Sequence, residues 1–413
     1  MFHVIITFAA RTLSVLIAFF FNAYIAKVLT ADESGFFFSL LAITFFLTQF
    51  SHLGLGNLCL KKMSINFSEK KYSDLGLNLS SLLLVTIAFS LLVVIISSLL
   101  YLVGFTSFDK LIFISVSVIP LFLINSLVFF FQSVRLFSIG LVYQGVLQPV
   151  VFLLFCILIP LEVEYFINSY LISCVLTSVM MILHVKILNI TNFSFNANKI
   201  IKHIKFEYFN EWWSYFIACI LPAARNYMPI AAATYWLGNA AVSVLYIAIK
   251  ISSSVSFFLG VSNLVSTPKI ASLYSEGKFD ALVQFVRKIT LLNLLFSTPV
   301  IGIISIGAGI ILKYFGEAYI GFESILYILL LTQLVSVLCG PVGNVLLMSN
   351  SSKLYNKSLT ISIFILVIGL LIFKESLDIF ILTLIMGLSI MVQNIINYYF
   401  FIQKFKNRER YSC

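Results

Sequence analysis

About twelve apolar stretches fill this chain of 413 residues, and each has close to the ~20 residues that a helix needs to cross a bilayer. Only 10% of the residues are charged, whereas about a quarter are charged in an ordinary soluble domain. Hydrocarbon offers no water to the backbone, and continuous apolar runs lack the alternation of a β-barrel. The sequence therefore predicts an all-α polytopic membrane protein.

Twelve spans place both termini on the same side of the membrane. The longest polar connector near the middle, residues 188–213, is basic and aromatic and reads as an amphipathic helix at the interface. We expect a six-helix bundle (1–187), this linker (188–213) and a second six-helix bundle (214–413) around a central cavity. The predicted spans are 4–29, 35–59, 75–103, 111–134, 140–159, 165–187, 214–237, 241–265, 289–312, 322–347, 355–373 and 377–403.

The net charge of +10 is explained by membrane orientation rather than by nucleic acid, because the basic residues fall in short connectors and form no separate soluble domain. If the termini are cytoplasmic, nineteen basic residues lie on that side. Only Lys110, Lys313 and Lys374 lie on the other side. This bias predicts that both termini are cytoplasmic.

The ionisable residues embedded in the spans are all basic. Arg225 lies in the seventh span between Pro222 and Pro229, where we expect a kinked backbone that borders a cavity. Lys250 lies at a similar depth on a polar stripe of the eighth span, which we expect to face the lumen. Arg11 either lines the inward vestibule or reaches cytoplasmic phosphates, and Lys27 is expected to extend its amine to the outer interface.

Neutral polar side chains in the spans either bond neighbouring helices or contact the hydroxyl groups of a substrate. Asn22 follows Arg11 by almost three helical turns and so shares its face. Gln393 and Asn397 are four residues apart and also share a face. The candidates for contact with a glycan are Asn22, Asn226, Tyr246, Gln333, Gln393 and Asn397.

Residues for other chemistry are sparse. The four histidines, His3, His52, His184 and His203, form no metal or nucleophile pattern, and the sequence has no Gly-rich phosphate loop. We expect neither a metal site nor a cofactor.

Two corners of the chain, each made of the end of one span, a tight turn and the start of the next span, resemble segments of a known protein family. The segment AKVLTADESGFFFSLLA from Ala26 is similar in shape to TYWLGNAAVSVLYIAIK from Thr234, and FSHLGLGNLCLKK ends at Lys62. These segments, with the continuation to Lys288, resemble the polysaccharide-repeat-unit (O-antigen) flippases of the multidrug/oligosaccharidyl-lipid/polysaccharide (MOP) exporter superfamily.

The resemblance implies a transporter rather than an enzyme. It implies alternating access that carries an undecaprenyl-pyrophosphate-linked oligosaccharide from the cytoplasmic to the periplasmic leaflet of the bacterial inner membrane. The implied partners are the lipid-linked glycan, membrane lipids and other polysaccharide assembly proteins. Two alternatives stay open, a cation-coupled multidrug exporter of the same superfamily and a membrane glycan polymerase or ligase.

The charge bias makes the topology testable. We expect both termini and the 188–213 connector to be cytoplasmic, because nineteen basic residues oppose three. Reporter fusions after Lys205 and at Cys413 should be active only with a cytoplasmic reporter. A fusion at either point that matures in the periplasm contradicts the topology.

Overall fold

The chain is described by a computed structural model for residues 2–104, 107–158, 163–190, 196–349 and 351–405. Within these ranges the regular structure is helical throughout. The helices of the first half are α1 (Phe2–Val28), α2 (Ala31–Phe50), α3 (Leu55–Ser68), α4 (Tyr72–Leu102), α5 (Phe108–Ser133), α6 (Phe137–Val142), α7 (Gln148–Leu158), α8 (Val163–Leu188) and α9 (Ala197–Glu207). Those of the second half are α10 (Phe209–Trp236), α11 (Asn239–Ser253), α12 (Ser256–Ser275), α13 (Phe279–Ile306), α14 (Ala308–Phe315), α15 (Glu323–Cys339), α16 (Val342–Met348), α17 (Ser352–Ile372) and α18 (Ile379–Phe405).

Among the described residues, nine helical segments are long and apolar enough to cross a membrane, and the number rises to eleven when two bent helix pairs are each counted as one span. The predicted span 214–237 falls in α10, whose 28 residues extend about 42 Å at ~1.5 Å per residue. This length exceeds the ~30 Å hydrocarbon core. The structure thus confirms the all-helical, multi-pass architecture.

Several predicted spans are broken rather than straight. The span 241–265 bends by 54° between α11 and α12. Side chains there compete for helix carbonyls, since Ser252 Oγ donates to the Ile249 oxygen at 3.0 Å and Ser254 Oγ donates to the Ile251 oxygen at 2.6 Å. The span 322–347 bends by 48° at Gly340, where φ is 71° and a proline follows. The span 35–59 ends early, since α2 stops at Phe50 and a turn precedes α3.

Contacts group the helices into two compact units, residues 1–21 with 37–223 and residues 22–36 with 224–413. In the first unit, α9 docks on α4 through a buried amide. Asn78 Oδ1 accepts hydrogen bonds from His203 Nε2 at 2.8 Å and from the Tyr208 hydroxyl. Trp212 Nε1 donates to the Leu53 oxygen at 2.6 Å. The helix α9 therefore lies within the predicted connector 188–213, and these hydrogen bonds hold it and the start of α10 in place.

A second buried polar chain in the first unit joins the turn after α2 to α4 and α5. Ser51 Oγ lies 2.8 Å from His52 Nδ1, His52 Nε2 lies 3.0 Å from Ser126 Oγ, and Ser126 Oγ lies 2.8 Å from Thr86 Oγ1. The buried imidazole of His52 therefore acts as a hydrogen-bonding bridge between the turn after α2 and α5.

The second unit includes the corner between α1 and α2, residues 22–36. Ser34 Oγ lies 2.7 Å from Ser243 Oγ, which lies 2.7 Å from the Tyr319 hydroxyl, and all three side chains are buried. The division at the 188–213 linker did not anticipate this corner, because the hydrogen bonds join residues far apart in the chain. That division of the chain stays a prediction.

The two corners that look alike in sequence meet inside the second unit. A Cβ built on Gly35 would lie 1.7 Å from the Asn239 oxygen and 3.1 Å from its Cα, so the two backbones touch where Gly35 has no side chain. Only glycine permits this approach.

We expect Gly35→Ala to destabilise the protein by about 1–3 kcal/mol or more, because backbone must move to admit the methyl group. Gly302→Ala in α13 is the matched control, since a Cβ there meets nothing within 4 Å and alanine favours a helix. Thermal unfolding of both purified variants in detergent measures the difference. Equal melting temperatures would show that the contact does not constrain the corner.

Candidate functional site

Arg225 lies within α10 in the second unit, and the helix runs without interruption from Phe209 to Trp236. The helix is continuous through Pro222 and Pro229, and the kink expected there stays a prediction. The Arg225 side chain is partly buried, and Asn226 beside it is exposed. A guanidinium in the middle of the predicted span 214–237 requires compensating polar groups.

Two amide oxygens supply the compensation. Arg225 Nε and Nη2 donate to Asn226 Oδ1 at 3.2 and 2.9 Å, and Nη1 donates to Gln393 Oε1 of α18. Gln393 is buried, with 3% of its surface exposed. Among the described residues Arg225 has no carboxylate partner, so its positive charge is solvated by dipoles and is not neutralised. Further N–H groups of the guanidinium remain available to a ligand.

The polar cluster continues along α18 and α17. Asn397 lies one turn beyond Gln393, is buried, and accepts a hydrogen bond from Ser358 Oγ at 2.6 Å. Tyr355 lies close by, since a Cβ on Gly343 would be 3.2 Å from the Tyr355 ring and 3.7 Å from Asn397 Nδ2. Asn397 therefore bonds two helices in this conformation, and its contact with a glycan stays a prediction.

Tyr355 carries no signal in the sequence, where it is only the first residue of the predicted span 355–373. Its proximity to the cluster follows from the packing of α17 against α18, which span length and hydropathy do not specify. Gln333 lies on α15 and is half-buried. Three residues farther along α15, Ser336 Oγ accepts a hydrogen bond at 2.8 Å from Asn394 Nδ2 of α18.

Lys250 lies in the last turn of α11 and is half-buried. Its Nζ is 4.9 Å from the ring centroid of Tyr246, a cation–π contact within one turn of the same helix. Tyr246 itself is buried, with 4% of its surface exposed, so in this conformation it supports Lys250. The predicted stripe does not face a lumen throughout, because Ser243 is buried against Ser34 and Tyr319. That Lys250 and Arg225 border one cavity stays a prediction.

The residues of α1 divide between the units. Arg11 belongs to the first unit and is half-buried, whereas Asn22 belongs to the second unit and is 3% exposed. Contact of either residue with substrate stays a prediction. The Nζ of Lys27 lies 3.6 Å from the centroid of the Tyr314 ring. The aromatic ring, rather than the interface alone, therefore holds this amine.

Carboxylates of the described helices lie at helix ends. Glu33 in the first turn of α2 accepts hydrogen bonds from the Thr30 nitrogen at 2.9 Å and from the Thr30 hydroxyl at 2.8 Å. First-turn positions also hold Asp74, Glu164, Asp280 and Glu323. Within the described part of the chain, no three histidine, cysteine or acidic side chains form a group that can hold a metal ion. In the described part of the second unit, the charged side chains away from helix ends, such as Arg225, are thus basic.

Comparison with solved structures defines the fold. The chain is similar to the inward-facing conformation of a multidrug resistance MATE family transporter of the MOP superfamily, with 13% identity, a TM-score of 0.75 and coverage of 99% of this chain and 100% of the other. It is also similar to the lipid II flippase MurJ in an inward closed conformation, with 16% identity, a TM-score of 0.71 and coverage of 98% and 87%. No known family profile and no curated protein sequence matches.

These similarities cover nearly the whole chain at low identity and therefore establish the fold alone. The protein is an all-helical, multi-pass membrane protein. Its fold is that of the MOP superfamily.

Because the Arg225 guanidinium has no carboxylate partner among the described residues, its role can be tested by adding one. Gln393→Glu should place a carboxylate against Arg225 and keep it ionised, which neutralises the charge. We expect the affinity for inorganic pyrophosphate to fall by about tenfold or more, equal to ~1.4 kcal/mol. Titration calorimetry on the purified protein measures this affinity.

Gln333→Glu is the matched control, because it adds the same charge to a half-buried position on α15 that has no hydrogen bond to Arg225. It should change the affinity for pyrophosphate much less. An equal loss in both variants would show that overall charge, and not the Arg225 site, governs anion binding.

Proposed function

We propose that the protein is a flippase that moves an undecaprenyl-pyrophosphate-linked oligosaccharide, such as an O-antigen or related repeat unit, from the cytoplasmic to the periplasmic leaflet by alternating access. The observation that carries the proposal is Arg225, a partly buried cation held by the amide oxygens of Asn226 and Gln393. Such a site favours an anion, and the fold is one that transporters use.

The chemistry of the substrate fits this arrangement. A pyrophosphate group carries negative charge and must leave water to cross the bilayer. Charge-assisted hydrogen bonds from a guanidinium contribute about 1.5–3 kcal/mol each, which lowers the transfer cost without trapping the substrate. The exposed Asn226 can offer its amide nitrogen as a donor to sugar hydroxyl groups, since its oxygen accepts from Arg225.

The proposal also covers the membrane, the topology and the partners of the protein. The membrane is the bacterial inner membrane, both termini are cytoplasmic, and the partners are the lipid-linked glycan, surrounding lipids and other polysaccharide assembly proteins. Transport requires no covalent chemistry from the chain and no resident cofactor.

A cation-coupled multidrug exporter is the second candidate, and the matched MATE family transporter favours it. Such coupling generally uses a carboxylate at membrane depth. The helix-end positions of Glu164 and Glu323 support the flippase instead. Loss of drug resistance on deletion, with unchanged surface glycan, would favour the exporter. Loss of chain polymerisation with normal flipping would favour the third candidate, a glycan polymerase or ligase.

Replacement of Arg225 tests the proposal. Arg225→Ala should fold and insert but lose transport, because the anion loses its charge-assisted partner, and lipid-linked repeat units should accumulate at the cytoplasmic leaflet. Leaflet-specific labelling of these intermediates in a deletion strain complemented with the variant measures the effect. Arg225→Lys should keep part of the activity if charge suffices, and little if forked hydrogen bonding is needed.

Arg287→Ala provides the control, since Arg287 is an exposed arginine of α13. It should complement fully. Normal surface glycan from Arg225→Ala at ordinary expression would contradict the assignment of this site.

A further inference from the structure

An apolar groove of about 350 Å³ lies between α10 and α17 in the second unit. Met228, Ala231, Ala232 and Tyr235 form one wall, and Val367 and Leu371 belong to the other. The surface that lines the groove is almost wholly apolar, so the groove suits a hydrocarbon better than a sugar or a phosphate. Its rim is open, because Tyr235 is 83% and Leu371 is 65% exposed.

The groove and the cationic site lie on the same face of α10. Met228, Ala232 and Tyr235 follow Arg225 by three, seven and ten residues, which is the spacing of a single face of α10. Ten residues extend about 15 Å at ~1.5 Å per residue. A molecule with an anionic end at Arg225 therefore has an apolar path beside it.

The wall formed by α17 also changes from polar to apolar residues along the helix. On α17, Tyr355 lies near the polar cluster, and Val367 follows it by twelve residues, about 18 Å at the same rise. Both helices thus pass from polar residues at one end to groove residues at the other. The arrangement matches an amphiphile with a charged head and a long apolar chain.

We propose that the groove holds the hydrocarbon chain of the transported lipid while Arg225 holds its anionic head. This inference rests on the function proposed above and adds a chain-binding subsite to it. An ordinary phospholipid fits less well, because its phosphate lies at the membrane surface, whereas Arg225 lies well inside α10, in the predicted span 214–237. The volume is at the low end of ligand pockets, about 300–1,000 Å³, and so suits a segment of a long chain.

The test compares two probes that share a head group. Farnesyl pyrophosphate carries a fifteen-carbon chain, and inorganic pyrophosphate carries none. Wild-type protein in nanodiscs of neutral phosphatidylcholine should bind farnesyl pyrophosphate about tenfold or more tightly than pyrophosphate, because apolar surface is buried. The ratio of the two affinities is the chain-dependent gain.

Ala231→Trp should abolish this gain and leave the affinity for pyrophosphate unchanged, because the indole fills the groove from an exposed position. Ala231→Leu, which is smaller, should lose part of the gain and guards against misfolding. Ile368→Trp is the matched control, since Ile368 neighbours Val367, is exposed on α17 and does not line the groove. It should behave as wild type.

An unchanged gain in Ala231→Trp would overturn the proposal. Equal competition by phosphatidylglycerol would overturn it too, since an ordinary lipid would then occupy the groove. Failure of the proposed function gives a different pattern. If Arg225→Ala keeps the affinity for pyrophosphate while Ala231→Trp still abolishes the gain, the assignment of Arg225 as the anion-binding residue is wrong, and the groove remains a chain-binding site.

Discussion

A guanidinium inside a predicted membrane span is the constraint around which the second unit is organised. Leaving it unsolvated costs at least about 2.5 kcal/mol by insertion scales, so neighbouring groups must supply dipoles. Asn226 supplies one from the next residue, and Gln393 supplies another from 168 residues along the chain. The second contact fixes α18 against α10, and α17 follows because Ser358 bonds Asn397 one turn farther on. Solvation of one charge thereby orders three helices.

In the uncharged parts of the interior, too, few hydrogen bonds join different helices. Serine and threonine hydroxyl groups mostly return their hydrogen bonds to their own helix, as Ser81 Oγ does to the Leu77 oxygen at 2.8 Å. A smaller set joins distant segments, such as Ser34 with Ser243 and Tyr319. In hydrocarbon these few bonds have no competition from water, and they determine which helices associate.

Span length and hydropathy specify much of this fold from sequence alone, because the bilayer imposes a fixed length on each crossing. Sequence also singles out Arg225, since a charge in an apolar run is conspicuous. Its partner Gln393 was one of several candidate amides, and nothing in the spacing selects it, because the contact depends on how α10 packs against α18. The bends at Ser254 and Gly340 were missed for a related reason. Their stretches are apolar on both sides, so hydropathy alone reads each as one straight helix.

The absence of a carboxylate partner for Arg225, within the described residues, has an electrical consequence. For the function proposed, the empty site carries a fixed positive charge, and a bound pyrophosphate reverses its sign. The loaded and empty protein then respond differently to the membrane voltage, which contributes about 2.3 kcal/mol per elementary charge per 100 mV. A bacterial interior is negative, so the outward passage of an anion is downhill. The voltage itself then supplies direction to the transport cycle.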